Sequence, residues 1–284
     1  MSRPIAGIDH GIVGVRDLES ARRTFAHLGF ALSPRGRHMG WGTANYCAMM
    51  TRGYIELLGI VDPAQFTNNL DRFLETREGV LGLALASDDA AETARALAGR
   101  GIPVHEPKDL KRTIERPDGA VEPAFRLVHL SPEATPGAPA FVCQHLTPAL
   151  VWDPAWMTHP NGAVALASMT GVVADPGAAA LAYGALFGAE RVSVGDGVVE
   201  VATGRGRLRL CAPDDLARLY PGIAGLPRGL ASGLVGMRVA VADLAASAAY
   251  LNQAGVLMVR DGDTLLRVPP GSACGVALEF EPAS

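Results

Sequence analysis

The sequence predicts an α+β fold of four βαβββ modules in two tandem halves. Three observations predict it. One unit recurs four times, each copy keeps an Asp and a Gly 12 or 13 residues apart, and short alternating apolar segments follow every copy. The copies are IDHGIVGVRDLESARRTFAHLGF, VLGLALASDDAAETARALAGRGI, AVALASMTGVVADPGAAALAYGALFGA and LVGMRVAVADLAASAAYLNQAGV.

Each copy opens on an apolar strand that ends at Asp17, Asp89, Asp175 or Asp243. An Asp side chain there can accept the free N–H groups of a helix's first turn. The closing Gly29, Gly101, Gly188 and Gly255 can take the left-handed conformation that ends a helix, so each unit holds about three helical turns. Asp89 with Glu92 forms the pattern of a capping box, and Pro176 occupies the first helical position, where proline is tolerated. Hairpin meanders come next, as in the stretch from His38 to Met50 with TRGYIELLGIV, or in RVSVGDGVVEVATGRGRLRL. The segment 151–162, ending in HPNG, joins the second copy to the third, which divides the chain into halves 1–150 and 163–284.

Composition narrows the function. Of 284 residues, 49% are hydrophobic and 19% charged, which fits a compact globular chain and not a disordered or fibrous one. Apolar runs stop short of a membrane span and MSRPIAGIDH has no signal core, so neither membrane insertion nor export is expected. A net charge of -4 leaves no broad basic field, which argues against nucleic acid as a partner. Lysine occurs only at Lys108 and Lys111, as GC-rich, bacterial-type coding produces. Cys47, Cys143, Cys211 and Cys274 lie far apart, so no zinc knuckle or disulfide framework is indicated, and a reducing cytoplasm is expected. A homodimer is compatible with all of this. No histidine follows His159, so histidine chemistry belongs to the first half.

Paired βαβββ modules, together with GTANYCAMMTRGYIELLG and the run from CQHLTPALVW to HPNGA, resemble the vicinal oxygen chelate superfamily and, within it, the glyoxalase-like domain proteins. The superfamily includes lyases, isomerases, dioxygenases, thiol transferases and binding proteins. The resemblance implies curved mixed sheets wrapped around a cavity, with a divalent metal (Fe, Mn, Ni or Zn) on the cavity face, held by His on a module's first strand and Glu on its fourth. Those positions are His10 and Glu56. The residues agree on their own account: alternation puts Ile8, His10 and Ile12 on one face, and Gly11, Val13 and Val15 on the helix-packed face. A Glu between Ile55 and Leu57 is costly unless paired or bound to metal.

In the second module Leu81 stands where another His is expected, and the last strand offers Gln144 and His145, of which only one can face inward. Imidazole is the better ligand, whereas the family's register favours Gln144. With His145, the set His10, Glu56 and His145 resembles a triad with open coordination positions. In the second half Ser168 and Gly236 replace His10, and only Glu279 keeps an acid, so that half is expected to be a degenerate copy with a small cavity of its own. Around the first site Asn45, Tyr46, Arg37, His38, Trp41 and Arg126 are candidates for substrate contacts, the arginines for an anionic group. The expected function is a metal-dependent lyase, isomerase or dioxygenase acting on a small oxygenated molecule, with Glu56 as catalytic group. The alternative is a metal-free binding or sequestering protein using the same cavity.

Overall fold

The computed structural model describes residues 4–283. Module one is β1 (Gly7–Val15), α1 (Leu18–His27), β2 (Gly36–His38), β3 (Thr43–Met49) and β4 (Tyr54–Ile60). A linking helix α2 (Leu70–Thr76) leads to module two: β5 (Gly79–Ala86), α3 (Ala90–Gly99), β6 (Lys108–Arg116), an extra β7 (Gly119–Val121), β8 (Ala124–His129) and β9 (Ala140–His145). Module three is β10 (Ala163–Val172), α4 (Pro176–Phe187), β11 (Val192–Gly195), β12 (Val198–Gly204) and β13 (Gly206–Cys211). After a short α5 (Leu216–Leu219) comes module four: β14 (Gly233–Val241), α6 (Leu244–Gln253), β15 (Val259–Asp261), β16 (Leu265–Val268) and β17 (Ala277–Pro282). Among the described residues no helix is long and apolar enough to cross a membrane.

The four module helices start where the Asp residues place them. Asp17 accepts from the Ser20 N–H, Asp89 from Glu92, Asp175 from Ala178, and Asp243 from both Ala245 and Ala246. The capping box at Asp89 is only half formed. The Asp89 N–H donates to Ser87 Oγ at 3.1 Å, so Glu92 is not needed for it.

Within each half the modules join through their first strands, β1 pairing antiparallel with β5 and β10 with β14. The two sheets differ at their ends. The first has the order β2-β3-β4-β1-β5-β9-β8-β6-β7, and β2 also pairs with β6, closing it into a ring. The second, β11-β12-β13-β10-β14-β17-β16-β15, stays open.

One cluster of buried apolar side chains runs through both halves, from Val13 and Phe25 to Met237 and Phe280. Gly11 makes room for this junction, because a side chain there would strike the ends of Met169 and Met237. The face of β1 opposite the cavity therefore packs on the second half's strands, where sequence periodicity suggested a helix. The HPNGA segment is a clasp. His159 Nδ1 accepts from the Ala31 N–H at 3.0 Å while Nε2 donates to the Met49 carbonyl at 2.7 Å. Burial lowers the imidazole's pKa, which suits this neutral bridging role. Fully buried Asn161 donates to the Leu28 carbonyl at 2.9 Å and accepts from Ala163 at 3.0 Å, and its own carbonyl accepts from Ser247 Oγ at 2.6 Å.

Asn161→Ala would leave the Leu28 carbonyl and the Ala163 N–H buried without partners. The expected loss is about 2–4 kcal/mol of stability, measured by urea unfolding.

Candidate functional site

The closed first sheet surrounds a small cavity of about 70 Å³. Alternation along the strands supplies its wall: His10 and Ile12 from β1, Tyr54, Glu56 and Leu58 from β4, and Leu110 and Arg112 from β6. Phe125 and Leu127 on β8 and Phe141 and Cys143 on β9 complete it, with His38 and Trp41 alongside.

Its polar groups form one buried chain. His10 Nδ1 lies 2.6 Å from Asp9 Oδ2, and His10 Nε2 lies 3.4 Å from Glu56 Oε2. The Asn45 amide donates to Glu56 Oε1, and His38 Nε2 stands 3.8 Å from that oxygen. His145 Nε2 contacts Asp9 Oδ2 at 3.0 Å, and the Tyr54 ring stacks on His10 with centroids 4.2 Å apart. Arg112, only 4% exposed, reaches Cys47 Sγ and lies over the Phe125 ring.

Asp9 is the member that sequence alternation hides. The β1–β5 register runs from Ile8 opposite Leu85 to His10 opposite Ala84, so Asp9 is the extra residue of a bulge. Strict alternation would send its carboxylate to the other face, away from His10. Arg112 was findable, since Leu110, Arg112 and Ile114 alternate with Lys111, Thr113 and Glu115. No sequence pattern announces Cys143, which shares the cavity-facing side with His145.

His10, Glu56, Asn45, His38 and Trp41 gather at the cavity, whereas several other expected contacts do not. Of the pair on β9, His145 turns toward Asp9, while Gln144 accepts from the Ala90 N–H and donates to the Asp88 carbonyl at the start of α3. His145 still does not converge with His10 and Glu56 as a triad. Among the described residues, the cluster of metal-type donors lying within 4.8 Å of one another is Asp9, Cys143 and His145. Arg37 pairs with Glu115 at 3.3 Å and is half-exposed. Arg126 pairs with exposed Asp109 at 2.6 Å, outside the cavity that its neighbours Phe125 and Leu127 line. The Tyr46 hydroxyl donates to Glu19 on α1 at 2.6 Å, on the helix side of the sheet. At the offset that separates His10 from Asp17, the residue before Asp89 is Gly82, not Leu81, and neither carries a ligand.

The sequence matches the family model described as "Glyoxalase-like domain" over residues 8–187. The chain belongs to the glyoxalase-like domain family. No curated protein matches it in sequence. Solved structures show the fold shared by this glyoxalase-like protein. A hypothetical protein from Staphylococcus aureus is 13% identical, with a TM-score of 0.68 over 97% of this chain and 99% of its own. A mutant 4-hydroxymandelate synthase from Streptomyces coelicolor is 14% identical, with a TM-score of 0.60 over 99% and 94%. A fusion of a xylose isomerase-like barrel with a 4-hydroxyphenylpyruvate dioxygenase is 15% identical, with a TM-score of 0.55 over 100% of this chain and 50% of its own. The tandem vicinal oxygen chelate architecture is therefore shared along the whole chain.

The donor set of this glyoxalase-like cavity fits a divalent metal at two positions. Two donors each about 2.1 Å from a tetrahedral ion stand roughly 3.4 Å apart, which is the spacing of His10 Nε2 and Glu56 Oε2. Asp9 on Nδ1 is the outer carboxylate that commonly orients a ligating histidine.

Charge in the cavity is set by its neighbours. Burial works to raise the Glu56 carboxyl, but His10, His38, Arg112 and the Asn45 amide outweigh it and hold the group below its ordinary range. Burial opposes ionisation of Asp9 as well, and the hydrogen bonds from His10 and His145 hold it well below. Burial would also lower Arg112, yet Cys47, Tyr54 and Glu56 keep it firmly charged. His38 is pushed down from 6.5 to about 4 by burial, against the pull of Glu56. Between those values the unfolded chain binds a proton that folded His38 refuses, so stability falls as pH drops from 6.5 toward 4.

In His38→Gln this slope should be shallower. Urea unfolding at pH 7 and pH 5 measures it, and an unchanged pH dependence would count against the burial of His38 as its cause.

Proposed function

We propose that this protein is a divalent-metal-dependent enzyme of the glyoxalase and dioxygenase type, acting on a small oxygenated molecule in the first half's cavity. The supporting observation is the pair His10 Nε2 and Glu56 Oε2, 3.4 Å apart on the wall of the cavity inside the closed sheet.

His10 and Glu56 would hold the metal, and a divalent ion there would supply Lewis-acid polarisation of adjacent substrate oxygens. Asp9 holds the His10 ring by Nδ1, which turns Nε2 toward Glu56. Asn45 and Arg112 keep Glu56 an ionised acceptor, able to ligate or to take a proton from a substrate carbon or hydroxyl. Leu58, Leu110, Phe125, Leu127 and Phe141 exclude water, which strengthens every charge interaction inside. Neutral His38 at the edge of the cavity is positioned to exchange a proton with a bound molecule.

The cavity is too small for more than a compact head group. It shares Ile12, Asn68, His129 and Phe141 with a groove of about 770 Å³ that runs between the halves past Phe73 and Leu230. Asn68 and Asn69 at this shared edge both have positive φ, 54° and 62°, a conformation Asn tolerates better than other side chains. A compact oxygenated head carrying an apolar extension fits this pair of spaces. The arginines expected to clamp an anion lie elsewhere, and Arg112, which was not among them, is the guanidinium on this wall that supports an anionic head.

One observation favours the metal-free alternative, a binding or sequestering protein. Glu56 already has Asn45 as a partner, and the third expected ligand, His145, is spent on Asp9.

Purified protein should carry a first-row metal near one equivalent by elemental analysis, and His10→Ala and Glu56→Gln should each weaken its affinity at least about tenfold. Full-strength metal binding in both variants would remove the site from these residues. Ligand stabilisation that ignores a chelator would favour the binding protein.

A further inference from the structure

The second half was expected to hold at most a small cavity, and the structure shows a large one. Because its sheet does not close, the concave face opens on a space of about 510 Å³, against about 70 Å³ in the first half. Six arginines line it: Arg52, Arg191, Arg205, Arg207, Arg209 and Arg238. The acids on its wall are Glu200 and Glu281.

Strand register explains the crowding. Ser168 on β10, the residue in His10's place, pairs with Arg207 of β13 on one side and with Arg238 of β14 on the other. Thr170 pairs with Arg209, so successive inward positions of the sheet repeat a hydroxyl beside a guanidinium. The acids satisfy the deeper arginines. Fully buried Glu279 lies 2.8 Å from Arg238 and 3.0 Å from Arg267, Glu281 lies 3.1 Å from Arg238, and Glu200 lies 3.4 Å from Arg209.

Two sets of groups are left over. Among the described residues, Arg52, Arg205 and Arg207 have no carboxylate within 4.0 Å, and all three are exposed at the mouth of the cavity. Further in, Ser168 is 4% exposed and its Oγ has no hydrogen-bond partner, while Arg209 Nε and Nη1 face Glu200 and Glu279 at 3.4 and 3.9 Å and make no hydrogen bond to either. A buried hydroxyl left unbonded costs free energy unless something in the cavity bonds to it. Guanidinium groups that converge without acids match anionic oxygens held by paired hydrogen bonds.

We propose that this second cavity binds a small polyanion, an organic phosphate or a polycarboxylate. Arg52, Arg205 and Arg207 capture its charge at the mouth, and Ser168 and Arg209 bond its buried end. The site needs no metal and is independent of His10 and Glu56.

Calorimetric titration of the full chain with pyrophosphate and, separately, with citrate tests this. One equivalent of at least one of them should bind, more weakly as salt is raised past about 0.1 M. Binding of pyrophosphate alone assigns a phosphate ligand, binding of citrate alone a carboxylate, and binding of both a general polyanion site. The double variant Arg52→Ala, Arg207→Ala removes two exposed side chains without ion-pair partners and should lose about tenfold or more in affinity. His10→Ala should bind as the unaltered chain does. The proposal is overturned if neither anion binds, if binding ignores salt, if the double variant binds as tightly, or if His10→Ala abolishes binding.

Discussion

The pairing of β2 with β6 is the constraint on which the rest of this structure depends. Both halves are built from the same module, and in both the first strands pair antiparallel at the centre. In the first half, Gly36 to His38 pairs with Arg112 to Ile114, which closes the sheet and sets His38 opposite Arg112 across the seam. The second half has no such contact between β11 and β15, which remain at opposite ends of their sheet. Closure goes with a small, mainly apolar cavity in one half, and its absence with a wide polar one in the other.

A closed cavity changes what its charges can do. Asp9, Glu56 and Arg112 would each be well solvated on an open surface. Inside the ring, against burial, the ionisation of Asp9 depends on His10 and His145, and that of Glu56 on His10, His38, Arg112 and Asn45. The His10 imidazole touches both carboxylates and so links them into one chain of polar groups.

The open half has diverged by filling the equivalent positions differently. Glu279 keeps the acidic place on the last strand but is neutralised by Arg238 and Arg267. Gly236 stands in the place of His10, and the Tyr220 hydroxyl occupies the space that a side chain there would need. The halves remain a single packed unit through the Met169 and Met237 contact at Gly11 and the Asn161 clasp.

The sequence by itself determined the modules, because a capping Asp, a helical face and a terminating Gly are local signals acting within a few turns of chain. It also placed His10 and Glu56 on cavity-facing positions, since each depends only on its own strand's alternation. Tertiary structure decided everything that joins strands from distant segments. The bulge at Asp9 arises from register with β5, and the choice between Gln144 and His145 depends on what lies across the sheet. The arginines expected to clamp a substrate are taken up elsewhere, Arg37 by Glu115 through ring closure and Arg126 by Asp109, its cross-strand neighbour between β6 and β8. Which strands close, and therefore which charges are buried together, is a property of pairings between residues far apart in the chain, and a local pattern carries no record of it.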